Sequence, residues 1–165
     1  MSNALVEKIQ EIALRFPPLL YGLAIALSIV IGGALFISNN TTHRAALPLQ
    51  DNYIPQIKAN FDKCEINSLW LSISGWALLD LPDNTIKIHL FATGPAGAIK
   101  LTTRRLYRKD VSDFLKIKSD YHLHGFSASG IRYKLQENFG TSVKLYLEDS
   151  KGVMHYGGEN VCSAK

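Results

Sequence analysis

Residues 69–76 read LWLSISGW, and the parity of that stretch decides the fold. Successive side chains of an extended strand point to opposite faces. Leu69, Leu71 and Ile73 therefore share one face, while Trp70, Ser72, Ser74 and Trp76 share the other. Downstream the same period recurs. Leu81-Pro82-Asp83-Asn84 is a turn, and Ile86, Ile88, Leu90 and Ala92 then alternate with Lys87, His89, Phe91 and Thr93. Gly94-Pro95-Ala96-Gly97 is a second turn, after which Ile99, Leu101 and Thr103 continue the pattern. Two further strands are predicted over Phe126–Lys134 and Val143–Glu148, and a last short one over Val153–Tyr156. One helical turn is predicted over Val111–Leu115, with Asp110 as its N-cap and Asp113 in its first turn. About six or seven short strands in about 100 residues predict an all-β fold, an antiparallel immunoglobulin-like sandwich. The lack of long helical periods excludes an α/β nucleotide-binding fold. On such a strand Trp76 reads as core, packed beside Gly75, and Trp70 shares its face by parity.

Upstream the composition changes twice. The sandwich is placed at 59–165, and 38–58 is polar, carries Pro48 and Pro55, and reads as a linker or stalk. Before it, 16–37 reads FPPLLYGLAIALSIVIGGALFI, about 22 residues without a charge, enough to cross a bilayer core of about 30 Å as a helix. The run is longer than a signal-peptide core, and the residues after it fit a cleavage site poorly, so a retained signal anchor is predicted. Residues 1–15 place Leu5, Ile9 and Ile12 at helical spacing among Glu7, Lys8, Glu11 and Arg15, a short amphipathic segment. Lys8 and Arg15 before the run, against Arg44 alone shortly after it, favour a cytoplasmic N-terminus. Cys64, placed just before the first strand, and Cys162 lie near the two ends of the sandwich. A disulfide between them needs an oxidising compartment; the alternative is two unpaired thiols.

Three short motifs occur in order: Ser74-Gly75-Trp76-Ala77, Arg108-Lys109-Asp110-Val111 and His124-Gly125-Phe126. Together they resemble a small β-sandwich module of bacterial envelope proteins, often attached to glycosyltransferases of surface-polysaccharide synthesis. The likeness runs from about Cys64 to Asp149. Lys109 stands where the module commonly has proline, and no glycosyltransferase domain accompanies it. The span, its flanking charges and the cysteines predict a domain outside the cytoplasmic membrane; with the resemblance, the expectation is the bacterial cytoplasmic (inner) membrane, with the C-terminal domain periplasmic or extracellular. The resemblance itself implies structural roles for Trp76, Arg108, Asp110, Gly125 and Phe126.

Arg108 and Asp110, two residues apart, read as one structural knot, the arginine bonding a carboxylate or carbonyl groups across the sheet. The functional alternative is a basic patch of Arg104, Arg105, Arg108 and Lys109 that takes phosphate or uronic-acid groups. His122 and His124 are too few for a zinc site, and no third ligand is assigned from His89 or His155. Asp80 with Asp83, and Asp110 with Asp113, sit in turns and read as local hydrogen-bonding groups, not an acid–base pair. The nucleophile-elbow, zincin and P-loop patterns do not occur, and neither cysteine has a C-x-x-C partner. No catalytic residue, metal or cofactor is assigned. The net charge of +4 arises mostly from basic residues scattered among acids, without the stripe that nucleic-acid binding needs. The expected function is a membrane-anchored binding or assembly module for a protein partner or an envelope glycan. The alternatives are an enzyme, or an accessory subunit of one, acting on envelope polysaccharide, and a structural component of a multi-protein membrane machine.

Overall fold

The computed structural model describes Glu7 and residues 17–48, 57–79, 86–117 and 122–165. The amphipathic reading of 1–15, the turn at 81–84 and the aspartates Asp80 and Asp83 lie outside the described residues, Glu7 apart. The chain divides into two units, residues 1–39 and 40–165.

The N-terminal unit carries helix α1, Pro17–Asn40. Both prolines fall in its first turn, where a missing N–H costs nothing. Ser28 Oγ donates to Ala24 O at 2.8 Å, so the one hydroxyl in the middle of the helix is satisfied within it. The helix is long and apolar enough to cross a membrane, and none of its most apolar stretch is buried. It outlasts the predicted end at Ile37 because nothing in Ser38-Asn39-Asn40 breaks a helix.

Among the described residues, the C-terminal unit holds two five-stranded sheets. The first holds, in spatial order, β1 (His43–Arg44), β5 (Gly97–Lys100), β4 (Lys87–Gly94), β8 (Ser142–Glu148) and β9 (Met154–Val161). The second holds β10 (Ser163–Ala164), β2 (Ile57–Ile66), β3 (Trp70–Leu79), β7 (Gly125–Ile131) and β6 (Thr102–Leu106). Neighbours pair antiparallel except β10, which lies parallel to β2. Two short helices, α2 (Lys109–Phe114) and α3 (Leu135–Phe139), complete it.

Alternation places the core. Leu71, Ile73, Phe126 and Ala128 of the second sheet and Ile88, Leu90, Ile99, Val143, Leu145 and Leu147 of the first belong to one buried cluster. The chain changes sheets at two buried residues. Leu101 separates β5 from β6, its N–H donating to Leu90 O at 2.9 Å. Cys162 separates β9 from β10, its N–H donating to Thr141 O at 2.8 Å. Cys64, on β2, and Cys162 stand at disulfide distance, with Cα atoms 4.6 Å apart.

The structure departs from the sequence reading at several points. Cys64 lies inside a ten-residue strand, not ahead of the first one. The expected stalk begins as helix, and at His43–Arg44 it becomes a strand paired with β5; residues 49–56 lie outside the described residues. Asp110 is not the N-cap of α2: the helix starts two residues earlier than predicted, at Lys109, and Arg108 occupies the cap position. Trp76 is not core but half-buried, because Leu71 and Ile73 take the inner face and parity sends Trp76 outward with the serines.

Candidate functional site

The three motifs meet on the outer face of the second sheet. Pairing sets Asn60, Trp76, Gly125 and Leu106 in one row across β2, β3, β7 and β6. The chain then leaves β6 and turns back. Arg108 N–H donates to His122 O at 2.8 Å, and Ala77 N–H donates to His124 O at 2.9 Å. Gly125 is required here: a Cβ on it would stand 2.5 Å from Arg108 Cγ, so the arginine stem lies against bare backbone. Gly75 is required for a related reason, since its Cβ would meet Asn60 O at 2.2 Å and Phe126 Cζ at 2.8 Å.

Opposite Gly75 the pairing of β2 slips by one residue between Phe61 and Lys63, leaving Asp62 as a bulge. A bulge re-aims a side chain that regular pleating would direct elsewhere. Asp62 Oδ2 accepts from Arg108 Nη1 at 2.7 Å, while Asp62 Oδ1 accepts from Asn60 Nδ2 at 3.0 Å. Arg108 Nε and Nη2 donate to the Asp110 carboxylate at 2.8 to 3.0 Å. One guanidinium thus faces two carboxylates, and the group carries a net negative charge. Asp110 is held below the usual carboxylate range, first by its hydrogen bonds from Arg108. The two carboxylates push the Arg108 guanidinium further toward its charged form.

Beside this network lies an open cleft of about 430 Å³, lined by Ala59, Asn60, Trp76, Arg108, Asp110 and Phe114. Phe114 is exposed at the end of α2, and the ring of Tyr107 meets that of His122 edge-on at 5.3 Å. His122 Nδ1 and Ser112 Oγ share a hydrogen bond of 2.8 Å that ties α2 to the sheet. The cleft gathers an indole, an amide and an ionised carboxylate around one hollow. Asp110 is set up there to accept hydrogen bonds, not to give a proton.

The four basic residues of the predicted patch are dispersed. Arg104 is exposed in a row with Ser74 and Ser127, whereas Arg105, on the opposite face of β6, donates to the carbonyls of Ile86 and Leu123. Arg108 is committed to carboxylates, and Lys109 is exposed at the start of α2. Phe126 is fully buried beneath Gly75. His122 is half-buried and His124 buried; among the described residues no three His, Cys, Asp or Glu side chains gather as a metal site. Sequence reading missed Asn60, Asp62 and Phe114. The extra residue at Asp62, which breaks alternation between Phe61 and Cys64, was the available signal.

Comparison with models of known families, with curated proteins and with solved structures returned no match for this chain.

Because Asp110 titrates low when folded, its contribution to stability is full above the ordinary carboxylate range. That contribution is lost as pH falls through the folded value. Carboxyl-resolved NMR titration should find the Asp110 midpoint depressed in the native chain and returned toward the ordinary range in Arg108→Met. An unchanged midpoint in that variant would mean that the pair does not set it.

Proposed function

We propose that this chain is a membrane-anchored binding module whose β-rich head holds a neutral glycan in the Trp76 cleft. The observation that carries the reading is the convergence of an indole with hydrogen-bonding groups around one open cleft. A sugar ring presents C–H groups on its faces and hydroxyls at its rim. The negative face of an indole suits the former, and Asn60 and Asp110 suit the latter. The two carboxylates outweigh Arg108, so phosphate and uronic acid are disfavoured and the predicted anion-binding role moves to an uncharged ligand. The uninterrupted apolar surface of α1 supports a span, and the cysteine pair supports an extracytoplasmic head with the N-terminus inside. An immunoglobulin-like architecture and kinship with the envelope module belong to the same reading, supported by the way the three motifs build one site.

The test uses the full chain in nanodiscs against an array of neutral and acidic bacterial oligosaccharides. Retention of neutral chains, lost at least tenfold in Trp76→Ala while the melting temperature stays within a few degrees, is the expected result. Retention of acidic chains alone, or binding indifferent to Trp76, would sink the assignment.

A further inference from the structure

A different surface opens where the chain leaves the first sheet for the second. β4 is paired with β5 only from Phe91 to Gly94, because β5 ends at Lys100 and Leu101 carries the chain across to β6. Among the described residues, the first half of β4, Lys87 to His89, therefore has a strand neighbour on the β8 side alone. The bare edge opens a notch of about 340 Å³, floored by buried Ile86, Ile88 and Leu101. Its polar lining is basic: Lys87, His89, Lys100 and Arg105 border it beside Thr103, and among the described residues no carboxylate does. These residues come from three strands and are scattered along the sequence, so the local basic run at 104–109 drew attention elsewhere.

Arg105 reaches across from β6 and donates to the carbonyls of Ile86 and Leu123, which fixes the far wall. Glu148 stands beside the notch and is already engaged. Lys87 Nζ donates to its Oε1 at 2.8 Å, and His89 Nε2 shares a hydrogen bond of 2.7 Å with its Oε2. Lys100 is exposed and has no ionic partner among the described residues. Burial holds His89 below the usual imidazole range; the bond to Glu148 opposes this, and Lys100 and Lys87 add to it. Tyr146 lies opposite His89 on β8. An anion placed in the notch would favour the imidazolium, so binding and protonation of His89 are coupled in both directions.

We infer that the notch between β4, β5 and β6 is a phosphate-binding site, taking a phosphate dianion, free or as a monoester, between Lys100, Lys87 and His89. A phosphate monoester presents three strong acceptor oxygens and a charge of about −1.5 to −2, which suits donors converging from two strands. A carboxylate offers two oxygens and one charge, and a diester one charge. Lysine binds phosphate as a point charge, and Arg105 adds its field. The notch is of the size of small-ligand clefts, about 300–1,000 Å³. A second hollow of about 400 Å³ also borders Lys100, with His43 and Arg44 in its lining. Space for the esterified part is therefore present beside Lys100. The notch shares no lining residue with the Trp76 cleft, so either assignment can fail without the other.

The full chain is held in a polyoxyethylene detergent, which carries neither phosphate nor sugar. It is titrated calorimetrically with glycerol 3-phosphate, inorganic phosphate, glycerophosphoglycerol and glucuronate. Glycerol 3-phosphate should bind, with the diester and glucuronate at least tenfold weaker. Inorganic phosphate bound as tightly assigns the site to the free ion; weaker binding assigns it to an ester. Lys100→Met should lose at least tenfold in affinity with the melting temperature unchanged, while Lys109→Met, on the other sheet's side, should bind as the native chain does. The His89 ring resonance, assigned by its loss in His89→Gln, should titrate low in the free protein and higher at saturating glycerol 3-phosphate. Failure of both phosphates to bind, a diester or glucuronate bound as tightly, affinity indifferent to Lys100, or a His89 midpoint unmoved at saturation would each overturn the site.

Discussion

Replacing Phe126 with alanine should destabilise the head by about 3–5 kcal/mol, enough to lower its melting temperature by on the order of 10–20 °C. The ring is fully buried and lies over the bare backbone of Gly75. It also meets Phe61 edge-to-face, with ring centroids 5.9 Å apart at 73°. Truncation removes the transfer free energy of the ring and leaves a hollow that the bulged β2 and the glycine opposite cannot fill. Such a loss is a large share of the 5–15 kcal/mol by which domains of this kind are stable. Phe114→Ala is the matched control, since that ring is 79% exposed and its loss should change stability by no more than about 0.5 kcal/mol. Thermal unfolding followed by circular dichroism checks both. Equal shifts in the two variants would mean that Phe126 is not the interior residue described.

Reduction of the Cys64–Cys162 pair is expected to cost a comparable amount. The two residues are 98 apart in sequence, and closing a loop of that length removes about 4–5 kcal/mol of chain entropy from the unfolded state in the loop-entropy view. Cys162 also stands where the chain passes from β9 to β10, so the link fixes a crossing point as well as a loop. Protein isolated from an oxidising compartment should lack two hydrogens by intact mass. It should also lose much of its thermal stability on treatment with a phosphine reductant. Two free thiols in the isolated protein would remove both the link and the inference about compartment.

Much of this architecture is legible from period two alone. Leu71 with Ile73, Ile88 with Leu90 and Val143 with Leu145 all face the core, as alternation requires. The same rule, applied consistently, sends Trp76 outward. Its placement in the core followed instead from the tendency of large aromatics on sandwich strands to be buried. What escaped detection did so for local reasons. In β2 the apolar positions fall at 57, 59 and 61 and then at 64 and 66, because Asp62 inserts one residue and reverses the parity. Most of the second half of β9, Gly157-Gly158-Glu159-Asn160 ahead of its last residue Val161, carries no apolar alternation to read. The site was half-visible. Trp76, Arg108 and Asp110 are marked by their motifs, but Asn60 and Asp62 reach them across a strand pairing that no local pattern reveals. The scattering of Arg104 and Arg105 to opposite faces follows from parity within β6.

The two crossings at Leu101 and Cys162 have a mechanical consequence. A sandwich whose sheets merely stack can be pried open along its interior like the covers of a book. Here one strand run passes from the first sheet to the second at each crossing, so the halves are laced, and prising them apart means breaking backbone ladders as well as wetting side chains. Tension applied between Asn40 and the C-terminus would first peel the short parallel strand at Ser163–Ala164. With the sulphur link intact, the peel would halt at Cys162, and the load would then pass into β2 at Cys64, near the end of that strand.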